Sequence, residues 1–298
     1  MLPCMAEQMQ GVYPILSCPF DGASRVDPES LAREVEYLIE AGVDGVGLGL
    51  ATEIPKLSEA ERDLVLTTVV EQARGRVKVV MKSDAPGTDL ALHYARRAAE
   101  LGADALMVMP PPVAGMPGSA MRAYFHAIAR EVGLPIFIQD VPTAPVAPAQ
   151  AAQIARELDH PWYLKAESPP TPPRVAEAVA AADGKLVVFG GAHGAYFPEE
   201  LRRGSVGTMP GAVVPEAYVG TWRLWRAGRH AEAEAHFARY GTLLRLFQQQ
   251  TGIGTYLVKE ALRRQGIFAT NVVRAPSAKP DELAYQELAA QMELLGIR

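Results

Sequence analysis

Between Val12 and Met209 the chain alternates, eight times over, a short apolar run with an amphipathic helical pattern. The runs are Val12 to Ser17, Val43 to Leu50, Val77 to Lys82, Ala105 to Met109, Ile136 to Gln139, Tyr163 to Glu167, Leu186 to Phe189 and Val206 to Met209. Near-continuous apolar strands suit a parallel sheet covered on both faces, because neither face meets water. Strands that alternate with helices argue for βαβ units, and eight is the number that closes into a (β/α)8 barrel. An open doubly wound sheet is the structural alternative. Helix signals sit where this alternation needs them: Asp27 followed by Pro28 opens the first helix and Gly42 stops it, while Ser58 with Glu61 forms a capping box. After the eighth run come further helical patterns over Val213 to Arg226, Ala231 to Phe247, Thr255 to Arg264 and Pro280 to Leu295. The chain therefore divides into a barrel with a lead-in over 1–212 and helices over 213–298 packed on it.

Composition narrows the partners. Of 298 residues, 49% are hydrophobic and 21% charged, as in an ordinary globular protein with a large core. A net charge of −5 without a basic cluster argues against nucleic acid. Cys4 and Cys18 are the only cysteines, too few to staple a fold of this size, so a reducing, cytoplasmic setting is expected. The N-terminus lacks a charged n-region and apolar h-region, and no apolar span is long enough to cross a bilayer. Metal and nucleotide sites are weakly supported: CxxC, HExxH and GxxxxGK[ST] patterns are missing and the six histidines lie far apart.

In barrels of this type the site is built at the C-terminal ends of the strands. The run Trp162-Tyr163-Leu164-Lys165-Ala166-Glu167-Ser168 places an ammonium and a carboxylate at i and i+2, on one face of a strand. Burying both costs several kcal/mol per ion unless they are paired or neutralised. A desolvated lysine gives up its proton more readily and becomes the nucleophile that imine chemistry on a ketone needs. A solvated ion pair at a strand end is the other reading. Further polar residues at strand ends are Thr52 and Glu53, Lys82 and Ser83, Gln139 and Asp140, His193 and Thr208. Pro110-Pro111-Pro112 and Pro169-Pro170-Thr171-Pro172-Pro173 supply rigid loops at the same end.

From Gly11 to about Gly266 the sequence resembles the dihydrodipicolinate synthase and N-acetylneuraminate lyase superfamily of Schiff-base-forming class I aldolases. The resemblance rests on Gly11-Val-Tyr-Pro with Pro19-Phe20, Gly42-Val-Asp-Gly45 followed by Glu53 and Leu57-Ser58, Gly75-Arg76-Val77, Gly102-Ala-Asp-Ala105 with Met109-Pro110-Pro111, Leu134-Pro135-Ile136, Val141-Pro142 and the Lys165 strand. It implies that Lys165 is the Schiff-base lysine, that no cofactor is needed, that the partner is a small keto acid, and that the protein is a homo-oligomer, a dimer or tetramer. There are departures. The superfamily's Gly-Thr-Thr-Gly-Glu signature reads Gly49-Leu50-Ala51-Thr52-Glu53, its strand-five tyrosine falls on Gln139, a second tyrosine on Pro112, and the arginine for a second carboxylate near Thr143-Ala144. Gln139-Asp140, Thr52-Glu53 and Lys165-Ala166-Glu167 are closer to the 2-keto-3-deoxy-L-arabonate dehydratase branch.

On that likeness the catalytic set is Lys165, Glu167 and Glu53, and the substrate-binding set is Thr52, Gln139, Ala51, Gly191 and Thr208. An amide at Gln139 cannot shuttle protons, so carboxylates or water take over proton transfer. The expected reaction is dehydration of a 2-keto-3-deoxy sugar acid: an imine at Lys165, loss of a C3 proton to Glu167, and departure of the C4 hydroxyl with Glu53 or water as acid. A pyruvate-releasing aldolase of the same superfamily and a non-catalytic keto-acid-binding or regulatory homologue are the alternatives. Structural roles stand beside each assignment. Glu53 could brace its loop, Glu167 could hold Lys165, Gln139 could satisfy backbone groups, His193 and Thr208 could be loop residues, Lys82 a rim charge, and Asp140 a structural acid on the opposite face.

Overall fold

A computed structural model describes residues 8–113, 115–249 and 252–297. The strands are β1 (Gly11–Val12), β2 (Gly45–Leu48), β3 (Lys78–Lys82), β4 (Ala105–Val108), β5 (Ile136–Asp140), β6 (Trp162–Ala166), β7 (Leu186–Gly190) and β8 (Gly207–Thr208). They alternate with α1 (Pro28–Ala41), α2 (Glu59–Ala73), α3 (Thr88–Glu100), α4 (Gly118–Val132), α5 (Pro148–Glu157), α6 (Thr171–Ala181), α7 (Phe197–Leu201) and α8 (Pro215–Arg226). The last stretch holds α9 (His230–Ala238), α10 (Gly241–Phe247), α11 (Ile253–Arg264) and α12 (Glu282–Leu294).

All eight strands are parallel, in the spatial order β1-β8-β7-β6-β5-β4-β3-β2. The seam closes beyond β1, where the Leu16 amide donates to the Gly47 carbonyl at 2.9 Å and the Gly47 amide to the Pro14 carbonyl at 2.8 Å. This is a (β/α)8 barrel and not an open sheet. The helix starts follow the sequence. Asp27 accepts from the Glu29 and Ser30 amides, the Ser58–Glu61 capping box is complete, and Gly42 ends α1 at φ 87°, a conformation that suits a residue without Cβ. One element differs: the pattern over Ala231–Phe247 is interrupted before Gly241 and becomes α9 and α10. The expected division after residue 212 falls ahead of α8, which packs on β1 and α1 as the eighth helix of the ring. Cys18 is a buried free thiol, and Cys4 lies outside the described residues.

Two cores result from strand alternation. The larger one lies between sheet and helices. The smaller fills the lumen with Met9, Tyr13, Val80, Met107, Phe137, Tyr163 and Phe189 among others. Its aromatic rings interlock: Phe137 stacks on Tyr163 at 4.6 Å between centroids and meets Phe189 edge-on at 5.3 Å. Tyr163 also accepts the Met9 amide through its hydroxyl at 3.0 Å. The lumen thus has an apolar floor below its C-terminal mouth.

Candidate active site

The face assignment of each strand decides which polar residues meet. Phe137 and Tyr163 point into the lumen, so Gln139 and Lys165, two residues further on, do as well. Lys165 is only 3% exposed. Its Nζ lies 3.2 Å from Oε1 of Glu167, just past the end of β6. The amide of Gln139 donates to Glu167 Oε2 at 2.8 Å, and the Ala192 amide to Oε1 at 3.2 Å. Gly191 makes this possible, since a Cβ there would sit 2.2 Å from Glu167 Cγ. Gln139 Oε1 is buried and has no hydrogen-bond partner among the described residues, which leaves an acceptor at the site.

Loop β2–α2 is placed differently from the expectation. The Thr52 hydroxyl donates to the Leu16 carbonyl at 2.7 Å and accepts from the Gly49 amide at 2.8 Å, so the loop itself uses it. Ala51 packs against the lumen cluster. Glu53 is held between two ammonium groups, Lys259 Nζ at 2.5 Å from Oε1 and Lys56 Nζ at 2.9 Å from Oε2. Thr208 faces away from the lumen. It shares its register row with Val12 and Gly190, which belong to the outer face against the helices, and its hydroxyl is buried there without a partner among the described residues. His193 follows β7 with φ 56°, and its carbonyl accepts from the Tyr218 hydroxyl at 2.7 Å. Glu53, Ala192 and His193 all carry positive φ without being glycine, strain that gathers at the mouth. Asp140 points outward and is structural in its contacts: it accepts from Val146, Ser168 and both Nε and Nη2 of Arg174.

Lys82 is not a rim charge. It follows Val80 by two residues, so its side chain enters the lumen, where it is 3% exposed and paired with Asp84. Asp84 also accepts the Met109 amide at 3.2 Å, and Arg62 braces the Lys82 carbonyl at 3.0 Å. Burial pulls the Lys82 ammonium down; Asp84 opposes this, and the charge on Lys165 adds to it. The alternation that picks out Gln139 and Lys165 also picks out Lys82. Lys259 carries no comparable signal: it is a helical residue whose partner, Glu53, is 206 positions away.

Along the Pro110–Pro112 and Thr143–Pro145 loops lies an open cleft of about 430 Å³. Among the described residues no three His, Cys, Asp or Glu side chains are grouped to hold a metal, and no helix is long and apolar enough to cross a membrane.

A parallel eight-stranded barrel with a buried lysine at the C-terminal end of its sixth strand defines a class of α/β-barrel proteins. The sequence matches the model of the dihydrodipicolinate synthetase family over residues 8–295, and the chain belongs to that family. Its enzymes are lyases of the class I aldolase superfamily that act on small keto acids through a covalent Schiff base, need no external cofactor and are generally oligomeric. L-2-keto-3-deoxyarabonate dehydratase of Azospirillum brasilense is 27% identical over 274 residues, covering 90% of this chain and 88% of that protein. A 4-hydroxy-tetrahydrodipicolinate synthase of Xanthomonas campestris is 30% identical over 265 residues, 87% of this chain and 86% of the relative. The solved dihydrodipicolinate synthase of Rhodopseudomonas palustris superposes with a TM-score of 0.88 at 26% identity, covering 96% of this chain and 97% of that one.

Proposed function

We propose that the protein is a Schiff-base-forming dehydratase of a 2-keto-3-deoxy sugar acid such as 2-keto-3-deoxy-L-arabonate. The observation that carries this is the Lys165–Glu167–Gln139 arrangement: a buried amine, a carboxylate 3.2 Å away, and an amide that orients the carboxylate. Lys165 attacks the C2 ketone and, with loss of water, forms a protonated imine that acidifies C3. Glu167 takes the C3 proton, which gives an enamine able to expel the C4 hydroxyl. Hydrolysis then frees the product and Lys165. The Gln139 carbonyl oxygen, unpaired among the described residues, accepts a substrate hydroxyl. Ala51 and Gly191 shape the pocket. Glu53 is assigned to holding its loop and not to proton transfer, because both its oxygens are bound to ammonium groups. The dehydratase from Azospirillum brasilense supports the choice of substrate.

A second reading, a pyruvate-forming or pyruvate-using aldolase, is favoured by the relative named 4-hydroxy-tetrahydrodipicolinate synthase. One experiment separates them. Borohydride reduction with a 2-keto-3-deoxy acid should fix a covalent adduct on Lys165, located by mass mapping, while a coupled lactate dehydrogenase assay should register no pyruvate. Pyruvate release selects the aldolase. A panel of keto acids that leaves Lys165 unmodified selects a non-catalytic binding or regulatory protein. A homo-oligomer, dimer or tetramer, is proposed from the family's habit and is measured by light scattering.

A further inference from the structure

With Glu53 occupied, the departing hydroxyl needs another proton donor. Tilted strands in a barrel of shear eight displace a row of register partners by about one residue per strand. The row through Lys82 runs to Met107, Phe137 and Tyr163. Three strands on, the level of Lys82 therefore corresponds to Ala166, between the inward-facing Lys165 and Glu167. Of the side chains that alternation turns into this layer, Ile15, Gly49, Gly191 and Gly211 have nothing to give, and Gln139 and Met109 carry no acidic proton. Lys82 carries three, on the wall across from Glu167, in a place from which water is largely excluded.

We infer that Lys82 is a catalytic residue, the acid that protonates the departing C4 hydroxyl. The inference rests on the dehydratase reading and completes it with an acid and a base on opposite walls. As the enamine collapses, the nitrogen lone pair forms the C2=N bond and the C2=C3 pair moves to C3=C4. The C4–O pair leaves with the oxygen, which takes a proton from the Lys82 ammonium and departs as water. Lys82 is left as a neutral amine beside Asp84 and is recharged from solvent. The C3 proton on Glu167 returns to solvent, so the net change is loss of one water from the substrate. Burial, which draws the ammonium down, makes the transfer easier.

The test compares 4-hydroxy-2-oxobutanoate with 4-chloro-2-oxobutanoate, whose chloride leaves without a proton. Lys82→Met and Lys82→Arg should each lower elimination from the hydroxy acid by about 10²-fold or more and leave initial chloride release within about threefold of wild type. Arginine keeps the charge but cannot release a proton at neutral pH. Recovery of the hydroxy reaction in Lys82→Arg would show charge alone at work and overturn the proposal. Equal losses on both substrates would overturn it too, as would failure of the wild type to eliminate water from the hydroxy acid while imine formation is intact. Borohydride trapping of 2-oxobutanoate on Lys165 in each variant verifies the fold. Its failure in the wild type would defeat the Schiff-base reading itself, a separate result.

Discussion

Of the buried lysine–carboxylate pairs near one end of this barrel, Lys259–Glu53 and Lys165–Glu167 serve opposite ends. Lys259 on α11 donates to Glu53 at 2.5 Å and to the Val272 carbonyl at 2.9 Å, and lies 4.4 Å from the centre of the Phe20 ring. Glu53 spends its second oxygen on Lys56, which also donates to the Arg274 carbonyl at 2.6 Å. Every strong valence is occupied, and the pair ties the C-terminal helices to the loop after β2. Lys165 and Glu167 lie at ordinary ion-pair distance, 3.2 Å, but the carboxylate is 15% exposed and Gln139 beside it has an acceptor unpaired among the described residues. A buried ion pair is therefore no mark of catalysis. Unspent bonding capacity beside a partly exposed carboxylate is a better one.

The contrast can be broken most sharply at Lys165. Lys165→Arg keeps the charge and cannot form an imine, so turnover should fall by about 10³-fold or more with no borohydride adduct, while Lys259→Arg should retain both. Glu167→Gln should slow dehydration by about 10²-fold to 10⁴-fold yet still permit reductive trapping at Lys165, as read by rate and mass. Lys259→Met leaves the Glu53 carboxylate short of its buried partner and should lower stability by about 3–5 kcal/mol in denaturant titration, with Glu53→Gln in the same chain restoring part of it.

Glu200 sharpens the comparison from the other side, as a fully buried carboxyl with no lysine partner among the described residues. Thr171 donates to one oxygen at 2.7 Å, the other has no partner among the described residues, and burial lifts the group to about 7. Since the folded state holds this proton more tightly than the unfolded chain, the contribution of Glu200 to stability is greatest below about 4.5 and declines as pH rises toward 7. Glu200→Gln should remove this contribution, worth up to about 3 kcal/mol, when unfolding of the two proteins is compared across this pH window.

Much of this is legible in the sequence. Repeated apolar runs lead to the barrel, local caps at Asp27, Ser58 and Gly42 place helix ends, and Lys165 stands out because a charge inside an apolar strand demands a reason. What escaped depends on contacts distant in sequence or on strand facing. Glu53 is engaged by a lysine 206 positions on, which no local pattern reveals. Thr208 looks like a mouth residue until the register with Val12 and Gly190 turns it outward. Strand alternation from Val80 turns Lys82 inward, and only its position next to Asp84 at the strand end suggests a solvated charge.

The interlocked rings of Phe137, Tyr163 and Phe189, with Met9 clasped beneath, make the barrel a blind vessel. Whatever enters through the loop end has to depart by that same doorway. Reactant and product thus compete for a single passage, so their traffic past the proline-rich lip belongs to the turnover cycle as much as bond-breaking does.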